Sequence, residues 1–280
     1  MQSIVVTGVS TGIGLDATRI LIEKGFRVYG SVRNQADAKR LTKAFGANFI
    51  PLFFDITDEG AVYTAAKQVR KDLNGETLFG LINNAGVAVA APILHLPIED
   101  FRKQMEINVT GQLIVTQAFA PLLGTDHLLK GSPGRIINIS SESGRNGSPF
   151  LAAYSASKHA LEGLSESMRR ELMLYGIKVI IVAPGPVVTP IWDKAEQVDP
   201  DQYKHTDYYE SGIRFQKYTL KNGHNGLPVE IVSNVILRAL TIKNPRVRYT
   251  VVPNPFMNRI ISLIPKRHID NIIAKSLGFI

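Results

Sequence analysis

Tyr154 and Lys158 stand four residues apart at the start of a predicted helix. Side chains at that spacing share one helix face, with Cβ atoms about 6 Å apart, so both can point into one cleft. A phenol with its ordinary pKa near 10 is a poor acid–base group at neutral pH. Lowering it by about three units takes roughly 4 kcal/mol. One unit charge about 4 Å away supplies about that much at an effective dielectric near 20. A lysine ammonium beside a phenol is therefore of the right size to turn it into a proton carrier. Chance supplies many such pairs, and the plain alternative is a surface pair with no chemistry. The run Tyr154-Ser155-Ala156-Ser157-Lys158 is rich in serine, and Ser141 lies upstream, which weighs against that alternative.

A second group of residues could hold a phosphorylated ligand. The apolar run Ile4-Val5-Val6-Thr7 is followed at once by Gly8-Val9-Ser10-Thr11-Gly12-Ile13-Gly14, and a helical pattern takes over from Leu15. Glycines there let the backbone turn tightly, approach a pyrophosphate and pack a helix onto the strand. The helix N-terminus then offers free N–H groups to the phosphates. The same glycines could serve a structural turn. Their place between the first strand and first helix of an alternating chain favours a nucleotide loop.

The elements that must position these groups are legible as alternating patterns. Strand candidates are 2–7, 27–32, 49–54, 78–83, 135–140, 177–183 and 248–252, mostly without polar alternation, as in parallel strands covered on both faces. Helix candidates lie near 12–24, 35–46, 58–74, 98–123, 153–175 and 228–241. Such alternation implies right-handed crossovers and a doubly wound α/β sheet, whose ligands bind beyond the carboxyl ends of its strands. Residues 186–227 read as a long, polar, irregular loop, and 253–280 as short helices appended after the last strand.

Composition narrows the classes. The 280 residues include 45% hydrophobic and 20% charged residues, enough apolar material for one sizeable core. There is no cysteine, so disulfides, thiolate nucleophiles and thiolate metal sites are excluded. The six histidines are scattered without metal-ligand spacing, and no metal is expected. No apolar run reaches the roughly 18 residues of a membrane span. The chain enters its first strand almost at once after Met1, so a cytoplasmic protein is expected. The net charge of +8 could serve nucleic acid, a membrane surface or an anionic cofactor, or simply solvate the surface. The basic residues are spread out and not interleaved with aromatics, so nucleic acid is not an expected partner.

Taken in order, Thr7-Gly8-x-x-x-Gly12-Ile13-Gly14, Asn83-Asn84-Ala85-Gly86, Ile107-Asn108-Val109, Ser140-Ser141, Tyr154-x-x-x-Lys158 and Pro184-Gly185 resemble the short-chain dehydrogenase/reductase family, in its short single-domain branch. The resemblance covers roughly residues 2–252. It implies one Rossmann-like domain over 1–252, including the segment 186–227, with about seven parallel strands, helices on both faces and a C-terminal helical extension at 253–280. It implies hydride transfer between a nicotinamide cofactor and an alcohol or carbonyl. By the same resemblance Ser141, thirteen positions before Tyr154, holds the substrate oxygen, with Ser140 the rival. Tyr154 is the proton donor and acceptor, Lys158 supports it and binds the ribose, and Asn108 holds a water near the lysine. Gly8, Ser10, Thr11, Gly12, Ile13 and Gly14 take the pyrophosphate. Asp55 and Ile56 meet the adenine, although Asp55 could equally be a turn or cap residue. Asn84, Ala85 and Gly86 pass the ribose. Pro184, Gly185, Val187 and Thr189 lie against the carboxamide, although Pro186 removes one N–H there.

The second predicted strand ends Ser31-Val32-Arg33-Asn34, with no carboxylate at Val32, where NAD-selective members often carry Asp. A carboxylate would repel a 2′-phosphate and a guanidinium can clamp it, so NADP is expected over NAD. The alternative is that Arg33 only stacks on adenine. The small apolar run after Gly86, with Phe150, Leu151, Ile191 and Trp192, favours a hydrophobic alcohol or ketone, retinoid- or steroid-like, unless these residues are ordinary core. In the tail Ile269, Ile272, Ile273 and Leu277 form a helical stripe that packs over the domain or, aided by Lys266, Arg267 and Lys275, touches a membrane surface. Family members commonly associate through the helices that fall here at 110–123 and 153–175, which implies a homodimer or homotetramer. The rival reading from another class is a sensor or scaffold that binds NADP without turnover.

Overall fold

The computed structural model describes residues 1–261 and 263–280. Seven strands form one parallel sheet in the order β3-β2-β1-β4-β5-β6-β7. They are β1 Ser3–Val6, β2 Arg27–Val32, β3 Phe49–Phe53, β4 Gly80–Asn83, β5 Arg135–Ile139, β6 Lys178–Pro184 and β7 Arg248–Val251. The helices are α1 Gly12–Glu23, α2 Gln35–Phe45, α3 Glu59–Leu73, α4 Ile98–Met105, α5 Gly111–Phe119, α6 Ala152–Glu171, α7 Ile191–Glu196, α8 Tyr209–His224, α9 Val229–Thr241, α10 Pro255–Ile261 and α11 Lys266–Leu277. Strand order reverses between β1 and β4, which places the ligand crevice at the carboxyl ends of those two strands.

Period-two alternation divides the core. Ile4 and Val6 face one apolar cluster with Leu21 of α1 and Ile236 of α9, while Val5 between them faces the other, with Val69 of α3 and Val115 of α5. Near-continuous apolar strands are thus explained by burial on both faces. A buried polar ladder ties the central strands to the helices above them: Asn83 Nδ2 donates to Asn138 Oδ1 (2.9 Å) and Thr116 Oγ1 (3.0 Å), and Asn138 Nδ2 donates to Ser165 Oγ (2.8 Å).

Two predicted elements differ. The segment 186–227 is largely helical, holding α7, a short turn at Pro200–Tyr203 and the sixteen-residue α8. Its Tyr, Gly and Asp content obscured a helix that is fixed by packing, with Phe215 buried against Phe150 and Leu277. The predicted helix 98–123 is broken by a π turn at Glu106–Thr110. Asn108 lies in that turn, and its amide is held by Val87 and Ser157, a side-chain anchor that the local pattern does not announce.

Candidate active site

The glycine turn is a bend that side chains would not tolerate. Gly8 and Gly12 have φ of +70° and +59°, a left-handed backbone that favours glycine. A methyl group on Gly14 would collide with the Gly8 carbonyl oxygen and come within 2.5 Å of Asn84 Nδ2. Around this bend the polar groups are saturated. Gly8 N donates to Ser31 Oγ (2.8 Å), Asn84 Nδ2 donates to the Thr7 and Gly8 carbonyls (2.9 and 3.1 Å), and Asn84 N and Ala85 N both donate to Thr7 Oγ1 (2.9 and 3.0 Å). The sequence gives Thr7 and Ser31 no role of their own, because each reads there as one more polar residue at a strand end.

Helix α1 opens at Gly12 without a side-chain cap on Thr11 and without an acidic residue in its first turn. Its first N–H groups are therefore left to a ligand, and its positive end is not neutralised. Thr11 is exposed, Ser10 and Ile13 are partly exposed, and Thr189 lies across from the bend, 3.5 Å from where a methyl on Gly12 would sit. The bend and the 184–189 segment thus form the two walls of one narrow groove. Absent Cβ atoms on one wall, free N–H groups at its floor and a guanidinium at its outer end fit a dinucleotide.

At that outer end Arg33 and Asp55 form an exposed ion pair at 3.6 Å, beside a groove of about 860 Å³ that continues along α4 past Thr57, Ile107 and Thr110. Burial pushes the Asp55 carboxyl up, but hydrogen bonds from the Thr57 N–H and hydroxyl, together with Arg33, hold it below its ordinary value. Asp55 is thus a turn residue and an ion-pair partner. Ile56 has its side chain buried in the core beneath Gly111, leaving only its backbone for a ligand. Val32 is also core, 1% exposed, so its side chain does not line the groove. Arg40 is a further basic residue missed in the sequence: its Nη2 donates to the Ser10 carbonyl (2.8 Å) and pairs with Asp37 (2.8 Å).

The four residues expected to do chemistry come together. Ser141 lies two residues past the end of β5 and caps the short turn Glu142–Gly144, while Tyr154 and Lys158 project from the first two turns of α6. Lys158 Nζ is buried, donates to the Ile139 carbonyl (2.9 Å) and lies 5.8 Å from the centre of the Tyr154 ring. Burial brings the Lys158 ammonium down to about 8. Burial also raises the Tyr154 phenol above its ordinary value; a hydrogen bond with Ser141 pulls it down and the charge of Glu142 pushes it up. The lowering of the phenol expected from Lys158 is therefore not a property of the protein alone, because the ammonium is directed to a backbone carbonyl. Asn108 is fully buried, with its amide spent on the Val87 N–H (2.9 Å), the Val87 carbonyl (2.9 Å) and Ser157 Oγ (3.0 Å). Its side chain braces the loop after β4. Gly86 fits between it and the lysine, since a methyl there would sit 3.1 Å from Asn108 Oδ1 and 3.8 Å from Lys158 Nζ. Ser140, the rival serine, donates to Glu162 Oε1 (3.0 Å) and is committed there.

In the segment after β6, Gly185 N donates to the Val251 carbonyl (2.9 Å), and the Val187 carbonyl accepts from Trp192 Nε1 (2.7 Å). Trp192, expected to line the substrate side, instead braces this wall. At the start of α6 an apolar hollow of about 370 Å³ is lined by Pro92, Ile93, Pro149, Phe150, Ala152, Tyr208 and Phe279 among others. Phe150 has φ +62°, unusual for a bulky residue, and its carbonyl accepts from Ala91 N (2.8 Å). Leu277 and Ile273 of the tail pack against the same ring cluster, so α11 covers this side of the domain.

A doubly wound parallel sheet, a glycine bend at its topological switch point and a Ser–Tyr–Lys group beside that bend define a dinucleotide-binding oxidoreductase. Comparison with known proteins gives the particular family. Residues 2–199 match the short chain dehydrogenase family model. The chain is 41% identical to an NADPH-dependent 3-dehydrocapnine reductase of Ornithobacterium rhinotracheale, across 99% of this chain and 98% of that one. It is 33% identical to human retinol dehydrogenase 5, across 88% of this chain and 78% of that one. Among solved structures, a short chain dehydrogenase from Burkholderia cenocepacia in complex with NADP superposes with a TM-score of 0.72 at 26% identity, covering 98% of this chain and 99% of that one. The chain belongs to the short-chain dehydrogenase family and is an NAD(P)-dependent oxidoreductase. Among the described residues no helix is long and apolar enough to cross a membrane.

Proposed function

We propose that this protein reduces the carbonyl group of a largely apolar small molecule with NADPH. The observation that carries the reading is the buried Lys158 ammonium, 5.8 Å from the centre of the Tyr154 ring and beside Gly86 of the loop whose Asn84 is hydrogen-bonded to the glycine bend. NADPH, when bound, supplies the hydride. The first N–H groups of α1 and Thr11 take its phosphates, the backbone of Asn84 to Gly86 passes the ribose, and Arg33 takes the 2′-phosphate, with Arg40 close by. Gly185 and Thr189 close the nicotinamide end.

Ser141 donates to the carbonyl oxygen and stabilises the charge that gathers there. Tyr154, protonated at neutral pH as a phenol ordinarily is, gives its proton to that oxygen as the alkoxide forms. Lys158 stays largely cationic below about 8 and orients the proton path. The NADPH-dependent reductase among the relatives supports the reductive direction. Asn108, through the backbone it braces, keeps the β4 loop and α6 in register. The helices α5 and α6 are the proposed faces for self-association into a dimer or tetramer. A sensor that binds NADP without turnover is the lesser reading, since it needs no phenol, serine and lysine gathered at one point.

Oxidation of NADPH, and separately NADH, across a panel of apolar ketones and aldehydes tests this reading. Turnover with NADPH is expected, and tight NADPH binding with no turnover on any carbonyl would favour the sensor. The cofactor half is tested at Arg33. Aspartate at Val32 would bury an unpaired carboxylate in the core and confuse preference with stability. Arg33→Ala should lower the NADPH-to-NADH ratio of kcat/KM by about tenfold. An unmoved ratio shifts the role to Arg40 or removes it.

A further inference from the structure

Helix α6 is bonded to consecutive residues at the end of β5. Asn138 Nδ2 donates to Ser165 Oγ (2.8 Å), Lys158 Nζ donates to the Ile139 carbonyl (2.9 Å), and Ser140 Oγ donates to Glu162 Oε1 (3.0 Å). The reaction as read above uses Lys158 on the helix and Ser141 just past the strand, and gives Glu162 no part. Glu162 follows Lys158 by four residues and so shares its helix face.

The Glu162 carboxylate gathers donors from separate segments. Arg248 of β7 reaches it through Nη2 (2.8 Å to Oε1) and Nε (2.9 Å to Oε2), and the two side chains are 10% and 11% exposed. Arg145 Nε adds a longer bond (3.4 Å) from just past the turn Glu142–Gly144. That turn rests on the carboxylate: a methyl group on Gly144 would come within 2.8 Å of Glu162 Oε1 and 2.7 Å of Ser140 Oγ. Gly144 N donates to the Ser141 carbonyl (3.0 Å), and Ser143 N to Ser141 Oγ (3.1 Å). Ser141 is thus bracketed, with Ser140 bonded to the carboxylate before it and Gly144 seated on the same carboxylate after it. Strand β7 carries the tie onward, since the Val251 carbonyl accepts from Gly185 N (2.9 Å) on the nicotinamide-side wall. A buried ion pair is a weak source of stability, because packed apolar side chains of similar volume commonly do as well. An apolar pair could not hold a strand end, a turn and a second strand at hydrogen-bond distance from one helix.

We propose that Glu162 is a positioning residue for the reduction: by holding both ends of the segment Ser140 to Gly144 against α6, it sets the place of the Ser141 hydroxyl relative to Tyr154 and Lys158 on that helix. This rests on the reductase reading above and adds a residue to it. Glu162 touches neither substrate nor cofactor in this role and exchanges no proton. It acts through Ser141. A reacting group misplaced by about 1 Å loses on the order of a hundredfold in rate, so the tie is worth a large factor in kcat and little in binding.

The test is a double-variant cycle on kcat, with NADPH and the apolar ketone of the panel above that turns over fastest. Ser141→Ala should lower kcat about a hundredfold to a thousandfold, and Glu162→Gln about tenfold to a hundredfold. The double variant should stay within about threefold of Ser141→Ala, because misplacing a hydroxyl that is already gone costs nothing further. In Glu162→Gln, KM and the NADPH affinity measured by titration should stay within about threefold of wild type. Gly144→Ala is a second route: it leaves every charge in place and lifts the same turn off the carboxylate. It should lower kcat by a similar factor, and again add nothing once the Ser141 hydroxyl is removed. A kcat in Glu162→Gln close to wild type overturns the proposal. So does a loss that multiplies in full with that of Ser141→Ala, or one matched by an equal loss of NADPH affinity, since a general loosening of the domain produces both. Circular dichroism at the assay temperature checks folding. If neither Glu162→Gln nor Gly144→Ala folds, the carboxylate holds the domain and not the serine, and the proposal falls. Ketone turnover that Glu162→Gln leaves unmoved defeats this proposal alone. A wild-type enzyme that turns over no carbonyl defeats the reductase reading and this proposal with it.

Discussion

The nucleotide wall of the cleft is held by hydrogen bonds between residues at neighbouring strand ends, among them Thr7, Gly8, Ser31, Asn84 and Ala85. The substrate wall is held by ring contacts between segments far apart in the chain. Phe150 packs tilted against Phe215 (5.0 Å between centroids) and Phe279 (6.2 Å) and edge-on to Tyr208 (6.2 Å). One wall is made of backbone and cannot change without moving the sheet. The other is made of side chains on α8, α11 and a loop, where substitution changes shape and leaves the sheet alone. The difference separates what every member of a nucleotide-binding family must share from what decides its substrate.

The sharpest way to break that comparison is at the junction of the two walls. Tyr154→Phe removes the proton donor and leaves its ring in place. Turnover should fall about a hundred- to ten-thousandfold, while NADPH affinity, measured by titration, stays within about threefold of wild type. Near-normal turnover would remove Tyr154 from the reaction.

Gly14→Ala tests the nucleotide wall. The added methyl meets the Gly8 carbonyl and the Asn84 amide, both already bonded, so backbone has to shift. A stability loss of about 2–3 kcal/mol in chemical denaturation is expected, together with a larger loss of NADPH affinity than any single change on the aromatic wall produces. An alanine tolerated at no cost would mean that this wall is as adaptable as the other.

Lys158→Met separates function from stability. Lys158 is cationic below about 8 when folded against 10.5 ordinarily, so the folded state holds fewer protons than the unfolded state between those values. Its burial therefore costs stability at pH 7, and the cost fades as pH rises from about 8 to 10.5. The methionine variant should lose activity yet gain about 2 kcal/mol at neutral pH, after the lost bond to Ile139 is set against the relieved burial. The gain should shrink across that alkaline window in denaturation curves. A variant less stable than wild type at pH 7 would show the buried ammonium to be stabilising.

These contrasts follow what the amino-acid sequence made legible. Strand ends and the glycine bend are local: Gly8, Gly12 and Gly14 follow β1 directly, and Tyr154 and Lys158 share one helix face. Such spacing survives in one dimension. The aromatic wall joins residues 150, 208, 215 and 279, whose proximity is decided only by how α8 and α11 dock. Hence 186–227 read as a loop, and Trp192 as a substrate contact when it braces Val187. The reach of Lys158 was out of sight for the same reason: spacing brings it onto the face of Tyr154 but cannot show its ammonium turned toward the Ile139 carbonyl.

The smallest expected effect belongs to the end of the chain. Gly278 caps α11 with φ +74°, and Phe279 N donates to the Ala274 carbonyl (2.8 Å), which turns the chain back so that the Phe279 ring reaches Phe150. A side chain at Gly278 is strained by that φ and would collide with the Arg214 guanidinium of α8. Phe279 itself is 43% exposed and contributes only part of one side of the hollow. Phe279→Ala should therefore raise KM for an apolar ketone about threefold to tenfold, about 1 kcal/mol of lost contact, with kcat and NADPH affinity close to wild type. Gly278→Ala should raise KM at least as much, by displacing the ring and the last turn of α11 together. If both variants leave KM unmoved, the tail covers the domain without touching substrate, and the aromatic wall ends at Phe150 and Tyr208.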